Sequence, residues 1–165
     1  MNPISDYISY QEATYSPIAL SNGIDNKPNA DELDNMRMIA EDIFIPLRAG
    51  LGNRPIHINS FFRSKELNKK IGGVYNSQHL CNNNCAAMDL DNDHVRQGPT
   101  NKEIFEYIRD YLFFDQLICE YPDEQGNPSW VHVSKCKVFE KNRMEVLQSE
   151  YIIVEGKRKR QYIRL

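Results

Sequence analysis

Two histidines and an aspartate are the residues of this chain best suited to chemistry. His79 and Asp89 lie ten residues apart, and His132 follows inside the segment 130–133. Two neutral imidazoles and a carboxylate are a set of protein ligands suited to a catalytic zinc whose fourth position stays open to water. The residue types therefore predict a metallohydrolase in which His79, Asp89 and His132 hold one zinc ion.

The surroundings of these residues strengthen the prediction. Asp89 lies in the apolar segment 86–90, where a buried carboxylate is costly unless a cation or strong donors hold it. His132 lies between two valines in a predicted strand, so its ring points to the face opposite theirs. His57 and His94 have no comparable neighbouring residues and are interpreted as ordinary histidines without a metal.

Hydrolysis at a metal also needs a base that takes a proton from water and a cation near the developing oxyanion. Glu120 ends the apolar run 117–119 and is the predicted base, with an ordinary strand-end carboxylate as the alternative. Arg63 follows two phenylalanines and is the predicted partner of an oxyanion or a substrate carboxylate. The alternative for Arg63 is a structural salt bridge.

Composition limits the classes of protein that the chain can represent. Its 165 residues suit one main domain with a single core, and a net charge of −3 does not favour a nucleic-acid binder. The N-terminal residues carry no signal peptide, and no apolar run reaches eighteen residues. We therefore expect a protein made in the cytoplasm, with no membrane span and no nucleic-acid partner.

The four cysteines are too few for a disulfide scaffold in a chain of this length. Cys119 and Cys136 lie in strand-like segments and are predicted to be plain core residues. Cys81 and Cys85 flank three asparagines. They are interpreted as a small disulfide-closed loop, as half of a second metal site, or as two unremarkable thiols.

Local patterns predict three capped helices. Asn29 with Glu32, and Thr100 with Glu103, have the spacing of capping boxes, and Ser64 precedes a short helical segment that Gly72 and Gly73 end. The first helix is expected to end near 49–52, after Pro46 disturbs its last turn.

Alternating or apolar runs predict strands at 55–62, 86–90, 114–121 and 129–134. Segments 151–155 and 160–163 read as a hairpin with the basic run 157–160 at its turn, either a solvated tip or a site for an anionic polymer. The order of elements favours an α+β domain over residues 1–150, with a small, mainly antiparallel sheet and flanking helices, followed by a hairpin extension at 151–165.

In combination, these motifs resemble the zinc D-alanyl-D-alanine carboxypeptidase family, which includes phage endolysin peptidases and shares the fold of the hedgehog signalling domain. The resemblance covers roughly residues 5–147. The motifs that carry it are SFFRS at 60–64, SQH at 77–79, AMD at 87–89 and WVHVS at 130–134.

The resemblance implies a role for each matched residue. His79, Asp89 and His132 match the zinc ligands of the family, and Arg63 matches its substrate-contacting arginine. Ser77, just before the first ligand, is expected near the substrate, and so is Trp130. The implied activity is hydrolysis of peptide bonds in peptidoglycan, either in stem peptides or in crosslinks.

The chain departs from the family pattern in one place. The family usually spaces its first histidine and aspartate seven residues apart, and the additional three residues here lie within 81–85, with Cys85 where a glycine is expected. A loop accommodates such an insertion at small entropic cost, so we expect both ligands still to converge.

The resemblance leaves two kinds of function open. One is a zinc peptidase, such as a phage lysin or virion-associated hydrolase, that acts at the cell wall after delivery by another component. The other is a non-catalytic, zinc-bound relative that binds wall peptides or forms part of a larger assembly.

Overall fold

The computed structural model describes residues 2–165 and consists of one six-stranded sheet with helices packed on one of its faces. The helices are α1 (Tyr10–Thr14), α2 (Pro17–Asn22), α3 (Ala30–Ile39), α4 (Ile45–Gly50), α5 (Lys65–Lys70) and α6 (Asn101–Tyr111). The strands are β1 (Ile58–Ser60), β2 (Cys85–Leu90), β3 (Gln116–Glu120), β4 (Trp130–Cys136), β5 (Glu145–Val154) and β6 (Lys157–Arg164).

The strands lie in the order β1-β2-β4-β3-β5-β6. Every neighbouring pair is antiparallel except β3 and β5, which run parallel. The predicted α+β fold with a mainly antiparallel sheet is therefore confirmed.

The two faces of the sheet differ in chemistry because successive side chains of a strand point in opposite directions. One face carries Met88, Leu117 and Val133, which are fully buried in a core that also takes in α3 and α6. The side chains between them on the same strands point to the other face. That second face holds the candidate site.

The predicted helix starts are confirmed by their caps. Asn29 and Thr100 each form a capping box with the glutamate three residues on, and Ser64 accepts a hydrogen bond from the backbone of Leu67. Between α3 and α4 the helix continues through a π-helical turn, Ala40–Phe44. Because Pro46 has no N–H to donate and its ring crowds the carbonyl one turn earlier, a wider turn at this point keeps the helix continuous to Gly50.

The strand predicted at 55–62 is shorter than expected and covers only Ile58–Ser60. Beyond Ser60 the backbone leaves β2 and binds other partners: the amide of Phe62 donates to Ala13, and the amide of Arg63 donates to His79. These hydrogen bonds occupy the backbone amides of Phe62 and Arg63, which would otherwise be available to extend the pairing of β1 with β2.

The loop before β2 absorbs the additional three residues in a left-handed backbone. Cys81, Asn83 and Asn84 all have φ between 50° and 61°. Asparagine adopts this conformation more readily than most residues. Cys85 already belongs to strand β2, so the position where a glycine was expected needs no glycine conformation.

The expectations for two cysteines are corrected by the structure. Cys85 and Cys136 stand opposite each other in the β2–β4 ladder and form a disulfide, so Cys136 is not a plain core thiol and Cys85 does not pair with Cys81. Cys119 is a buried free thiol, as predicted. Cys81 is also free and buried, and burial raises its pKa to about 12.

The C-terminal hairpin is longer than predicted, and its basic run lies elsewhere. β5 pairs with β3 from Glu145 onward, so the sheet is continuous across residue 150, and the boundary proposed there stays a prediction. The turn lies at Glu155 and Gly156, and residues 157–160 form the first half of β6. The placement of this run at the turn is therefore wrong, because strand pairing extends to the Val154–Lys157 pair.

The carboxylate of Asp115, buried just before β3, binds both the half-exposed Arg143 and the segment that carries His79. Asp115 accepts two hydrogen bonds from the Arg143 guanidinium, at 2.7 and 2.9 Å, and one from the Gln78 amide at 2.7 Å. Burial alone would raise the pKa of Asp115, but these donors bring it below its ordinary value. The hydrogen bond from Gln78 to Asp115 therefore holds Gln78, and with it the His79 segment, against the sheet.

We expect replacement of both Cys85 and Cys136 by alanine to lower the free energy of unfolding by up to about 4 kcal/mol, because the bridge closes a loop with a sequence separation of 51. Urea unfolding with and without dithiothreitol measures the effect. Reduction should bring the wild type close to the double variant and leave the variant unchanged. Equal stability of the oxidised and reduced wild type would contradict the prediction.

We expect Arg143→Gln to lower the free energy of unfolding at pH 7 by about 1–3 kcal/mol, because Asp115 stays buried and loses its charged partner. The pair stabilises the fold above the pKa of Asp115 in the unfolded chain, about 3.9, and this contribution disappears as the pH falls through the lower folded pKa. Denaturant unfolding at pH 7 and pH 3 should therefore show a difference that narrows in acid. Arg109→Gln, which breaks an exposed pair with Asp110, is the control and should change stability little at either pH. If the free energies of unfolding of the wild type and Arg143→Gln differed by the same amount at both pH values, the ion pair would not be the cause.

Candidate active site

Strand register brings the first two candidate ligands together. Asp89 on β2 stands directly opposite His132 on β4. On the other side of β4, Trp130 pairs with Glu120 on β3. Residues two apart on a strand share a face, so Asp89, His132, Trp130 and Glu120 all lie on the face away from the helical core.

His79 reaches the same place from a 3-10 turn, Gln78–Leu80. Its carbonyl accepts from the amide of Arg63, and its ring Nδ1 lies 2.8 Å from the carbonyl oxygen of Phe61. The segment after β1 therefore holds both the backbone and the ring of His79.

The three side chains converge on one point. Oδ1 of Asp89 lies 3.2 Å from Nε2 of His79 and 2.8 Å from Nδ1 of His132. One ligand atom from each residue lies within 4.8 Å of the others, and among residues 2–165 this is the one such His, Cys, Asp or Glu group. The predicted ligand triad is thus assembled as a unit.

The donor atoms of this group fit a metal ion. A carbonyl oxygen only accepts, so Nδ1 of His79 carries the proton toward Phe61 and Nε2 of the neutral ring presents a lone pair. That lone pair faces Oδ1 of Asp89, which also only accepts. A cation between two facing acceptors removes their repulsion, and ligand atoms around a tetrahedral zinc lie about 3.3 Å apart for bonds of about 2.0–2.1 Å.

The electrostatics of the group agree with this fit. Burial lowers the pKa of His79 despite the nearby carboxylate, which favours the neutral, metal-binding imidazole. Burial alone would raise the pKa of Asp89, but the two neighbouring imidazoles hold it well below its ordinary value. These directions favour an ionised Asp89 and a neutral His79, the forms in which the two side chains bind a metal.

Arg63 contacts the ligand group rather than standing apart from it. Its guanidinium donates to Oδ2 of Asp89 at 2.9 Å and to Ser60 Oγ at 3.0 Å. The side chain also lines the cleft in front of the ligands and stays 20% exposed. Arg63 thus forms the salt bridge that was the alternative interpretation and at the same time faces the cleft.

Glu120 lies on the cleft but outside the ligand group. It is 3% exposed, and its Oε2 accepts a hydrogen bond from the hydroxyl of Ser149. The Arg160 guanidinium lies 3.4 Å from the same oxygen. Burial raises the pKa of Glu120, while Ser149 and Arg160 oppose that rise.

All the predicted site residues line one cleft of about 970 Å³. Ser77 precedes the 3-10 turn that holds His79, and Trp130 forms part of the wall near Tyr121, at 5.4 Å between ring centroids. The roles assigned to these residues stay predictions, and the structure supplies their positions.

Sequence reasoning assigned no role to several residues of the cleft. Gln78, Asp115 and Arg143 fasten the His79 segment, and Ser149, Arg160 and Tyr162 come from the hairpin. Arg160 and Tyr162 are two residues apart in a predicted strand, so the sequence alone indicates that they share a face. That this face points to the site follows only from the pairing of β6 with β5 and of β5 with the strand of Glu120.

Among residues 2–165, no helix combines the length and the apolar character needed to span a bilayer.

A comparison with curated protein sequences returned no significant match. Residues 6–134, which include His79, Asp89, Glu120 and His132, match the family described as peptidase M15. Because this match covers well over half of the chain, the chain belongs to the peptidase M15 family.

Proposed function

We propose that this peptidase is a zinc-dependent hydrolase of peptide bonds in bacterial peptidoglycan, cutting stem peptides or crosslinks. The observation that carries the proposal is the pair of facing acceptors, His79 Nε2 and Asp89 Oδ1, within the His-Asp-His group. The family supports the peptidase activity, and the donor set supports zinc.

In this proposal His79, Asp89 and His132 hold a single zinc ion. When bound, the ion lowers the pKa of its water and polarises the carbonyl of the scissile bond. The remaining chemistry comes from the chain itself, because a peptide bond also needs proton transfer and charge stabilisation.

Glu120 is the proposed general base. Its carboxylate takes a proton from the attacking water and delivers it to the leaving amine nitrogen, so the group returns to its starting state. The pKa of Glu120, raised by burial, supports this role because a stronger base removes a proton from water more readily. Its position on the cleft wall beside Trp130 places it on the face where the ligands lie.

Arg63 is proposed to stabilise the negative charge that develops at the carbonyl oxygen or on a substrate carboxylate. Its exposed fraction faces the cleft while Asp89 and Ser60 hold its orientation. Ser77 and Trp130 are the proposed substrate contacts on the two sides of the ligand group. Both carboxypeptidase and endopeptidase action are compatible with this assignment.

The place of action in this proposal is the bacterial cell wall. The protein is made in the cytoplasm and delivered as a phage lysin or as part of a virion. The support is the resemblance of its motifs to phage endolysin peptidases.

We expect the metal-free protein to bind one zinc ion and gain thermal stability, with about 2.7 kcal/mol gained when free zinc is 100 times its Kd. Elemental analysis gives the stoichiometry, and thermal unfolding over a zinc series gives the stabilisation. His132→Ala should lose most of this gain because only two ligands remain. His57→Ala, which removes an exposed histidine, is the control and should respond to zinc like the wild type. If zinc stabilised His132→Ala as much as the wild type, the assignment of His132 as a ligand would be wrong.

We expect Glu120→Gln to lower kcat on purified sacculi by about 10²- to 10⁴-fold, because glutamine cannot accept the proton of the water. Mass spectrometry of released peptides over time measures the rate. The control is Glu124→Gln, which changes an exposed glutamate in the loop before β4. Zinc and peptide binding without turnover by the wild type would point instead to the non-catalytic, wall-binding relative.

A further inference from the structure

The side chain of Glu120 is held by two residues of the C-terminal hairpin. Ser149 on β5 donates its hydroxyl proton to Oε2, and the Arg160 guanidinium on β6 lies 3.4 Å from that same oxygen. Both residues lie beyond residue 134, where the family match ends. The hairpin therefore reaches the site from outside the matched region.

Strand register explains how the hairpin reaches Glu120. Ser149 pairs with Glu120 across the parallel β3–β5 ladder, and Tyr162 pairs with Ser149 across β5–β6. Arg160 is two residues from Tyr162 and so lies on the same face of β6. The register-paired side chains of Trp130, Glu120 and Ser149 thus form a row across the sheet, and Tyr162 continues that row into the hairpin.

Arg160 is held in a defined orientation. Its Nε donates to the hydroxyl of Tyr121, and its Nη1 donates to the hydroxyl of Tyr162 at 2.9 Å. Its guanidinium carbon lies 4.9 Å from the ring centroid of Tyr121 and 6.0 Å from that of Trp130. These contacts leave Nη2 directed at Glu120.

The two oxygens of Glu120 have different surroundings. Oε2 carries both hairpin contacts. Among the described residues, 2–165, Oε1 has no hydrogen-bond or ion-pair partner, although Glu120 lines the cleft. Fixing one oxygen in this way leaves the other available to a water molecule.

We infer that Ser149 and Arg160 are positioning residues for Glu120, so that the C-terminal hairpin is a working part of the peptidase site. The inference rests on the proposed role of Glu120 as general base. A base held in one orientation reacts faster than a mobile one, and a displacement of about 1 Å can cost about 10²-fold in rate. An adjacent guanidinium also favours the charged carboxylate that accepts the proton.

The first experiment measures kcat and KM of the zinc-loaded protein, residues 1–165, on a peptidoglycan peptide. We expect Arg160→Gln to lower kcat by about 10- to 100-fold with KM changed less than about twofold, because the residue acts on the base rather than on the substrate. Arg158→Gln is the matched control. Arg158 lies on the same strand and face, stacks 3.6 Å from the centroid of the Tyr151 ring and has no contact with Glu120, so its kcat should stay within about twofold.

A double-mutant cycle tests whether Arg160 acts through Glu120. In the Glu120→Gln background, Arg160→Gln should lower kcat by less than about twofold, because the group that it positions is already inactive. An equal loss in both backgrounds would overturn the inference. A rise in KM with unchanged kcat would also overturn it, and would assign Arg160 to substrate binding.

A second measurement does not depend on turnover. The carboxyl carbon of Glu120, labelled with ¹³C and followed by NMR, should titrate at higher pH in Arg160→Gln than in the wild type, because a neighbouring positive charge is lost. The other charged or titratable groups near Glu120 are Tyr162 on β6, His132 on β4, Asp89 on β2 and the thiol of Cys119 on β3, and the substitution retains all four. Arg158→Gln should leave the midpoint unchanged.

These measurements separate two kinds of failure. A wild type without turnover would reject the proposed function, while the NMR titration would still decide whether Arg160 acts on Glu120. An active wild type, an inactive Glu120→Gln and a fully active Arg160→Gln would reject the inference alone. Thermal unfolding of Arg160→Gln and Ser149→Ala identifies a loss of activity that comes from unfolding.

Discussion

The site depends on one register: Asp89 on β2 stands opposite His132 on β4. Side chains alternate along a strand, so a slip of one residue would turn Asp89 toward the apolar core and bring Met88 to the cleft. That arrangement would bury an ionised carboxylate without a partner, which costs several kcal/mol. The Cys85–Cys136 bridge lies in the same ladder and ties together the same two strands.

Three buried carboxylates line the cleft, Asp89, Asp115 and Glu120, and the contacts of Asp89 and Glu120 follow the same pattern. Asp89 directs Oδ2 to Arg63 and Oδ1 to the imidazoles. Glu120 directs Oε2 to Ser149 and Arg160, and its other oxygen has no partner among residues 2–165. Each arginine therefore compensates a buried charge at one oxygen and leaves the second without an arginine contact, which stabilises these two anions in the cleft.

Local chemistry made much of this structure predictable. The caps at Asn29, Ser64 and Thr100 act over three residues, so their helices follow from nearby sequence alone. The candidate ligands were recognisable because an aspartate is unusual in an apolar strand. The Cys85–Cys136 pair and the Arg160 contact were not predictable, since both depend on strand pairings between residues about 40 to 50 positions apart. The shortened β1 shows the same limit, because Phe62 gives its amide to the distant Ala13.

The position of β6 at the end of the strand order has a further consequence. Among residues 2–165 no strand pairs with its outer side, so its backbone offers free donors and acceptors along an open edge. Such an edge invites pairing with another chain, and lysine and arginine side chains are a common defence against it. Lys157, Lys159 and Arg164 lie along this edge. If two copies met edge to edge, the positive charges on β6 of one would face those on β6 of the other. The basic run that could suggest an anionic partner therefore also discourages the self-association to which an exposed strand is prone.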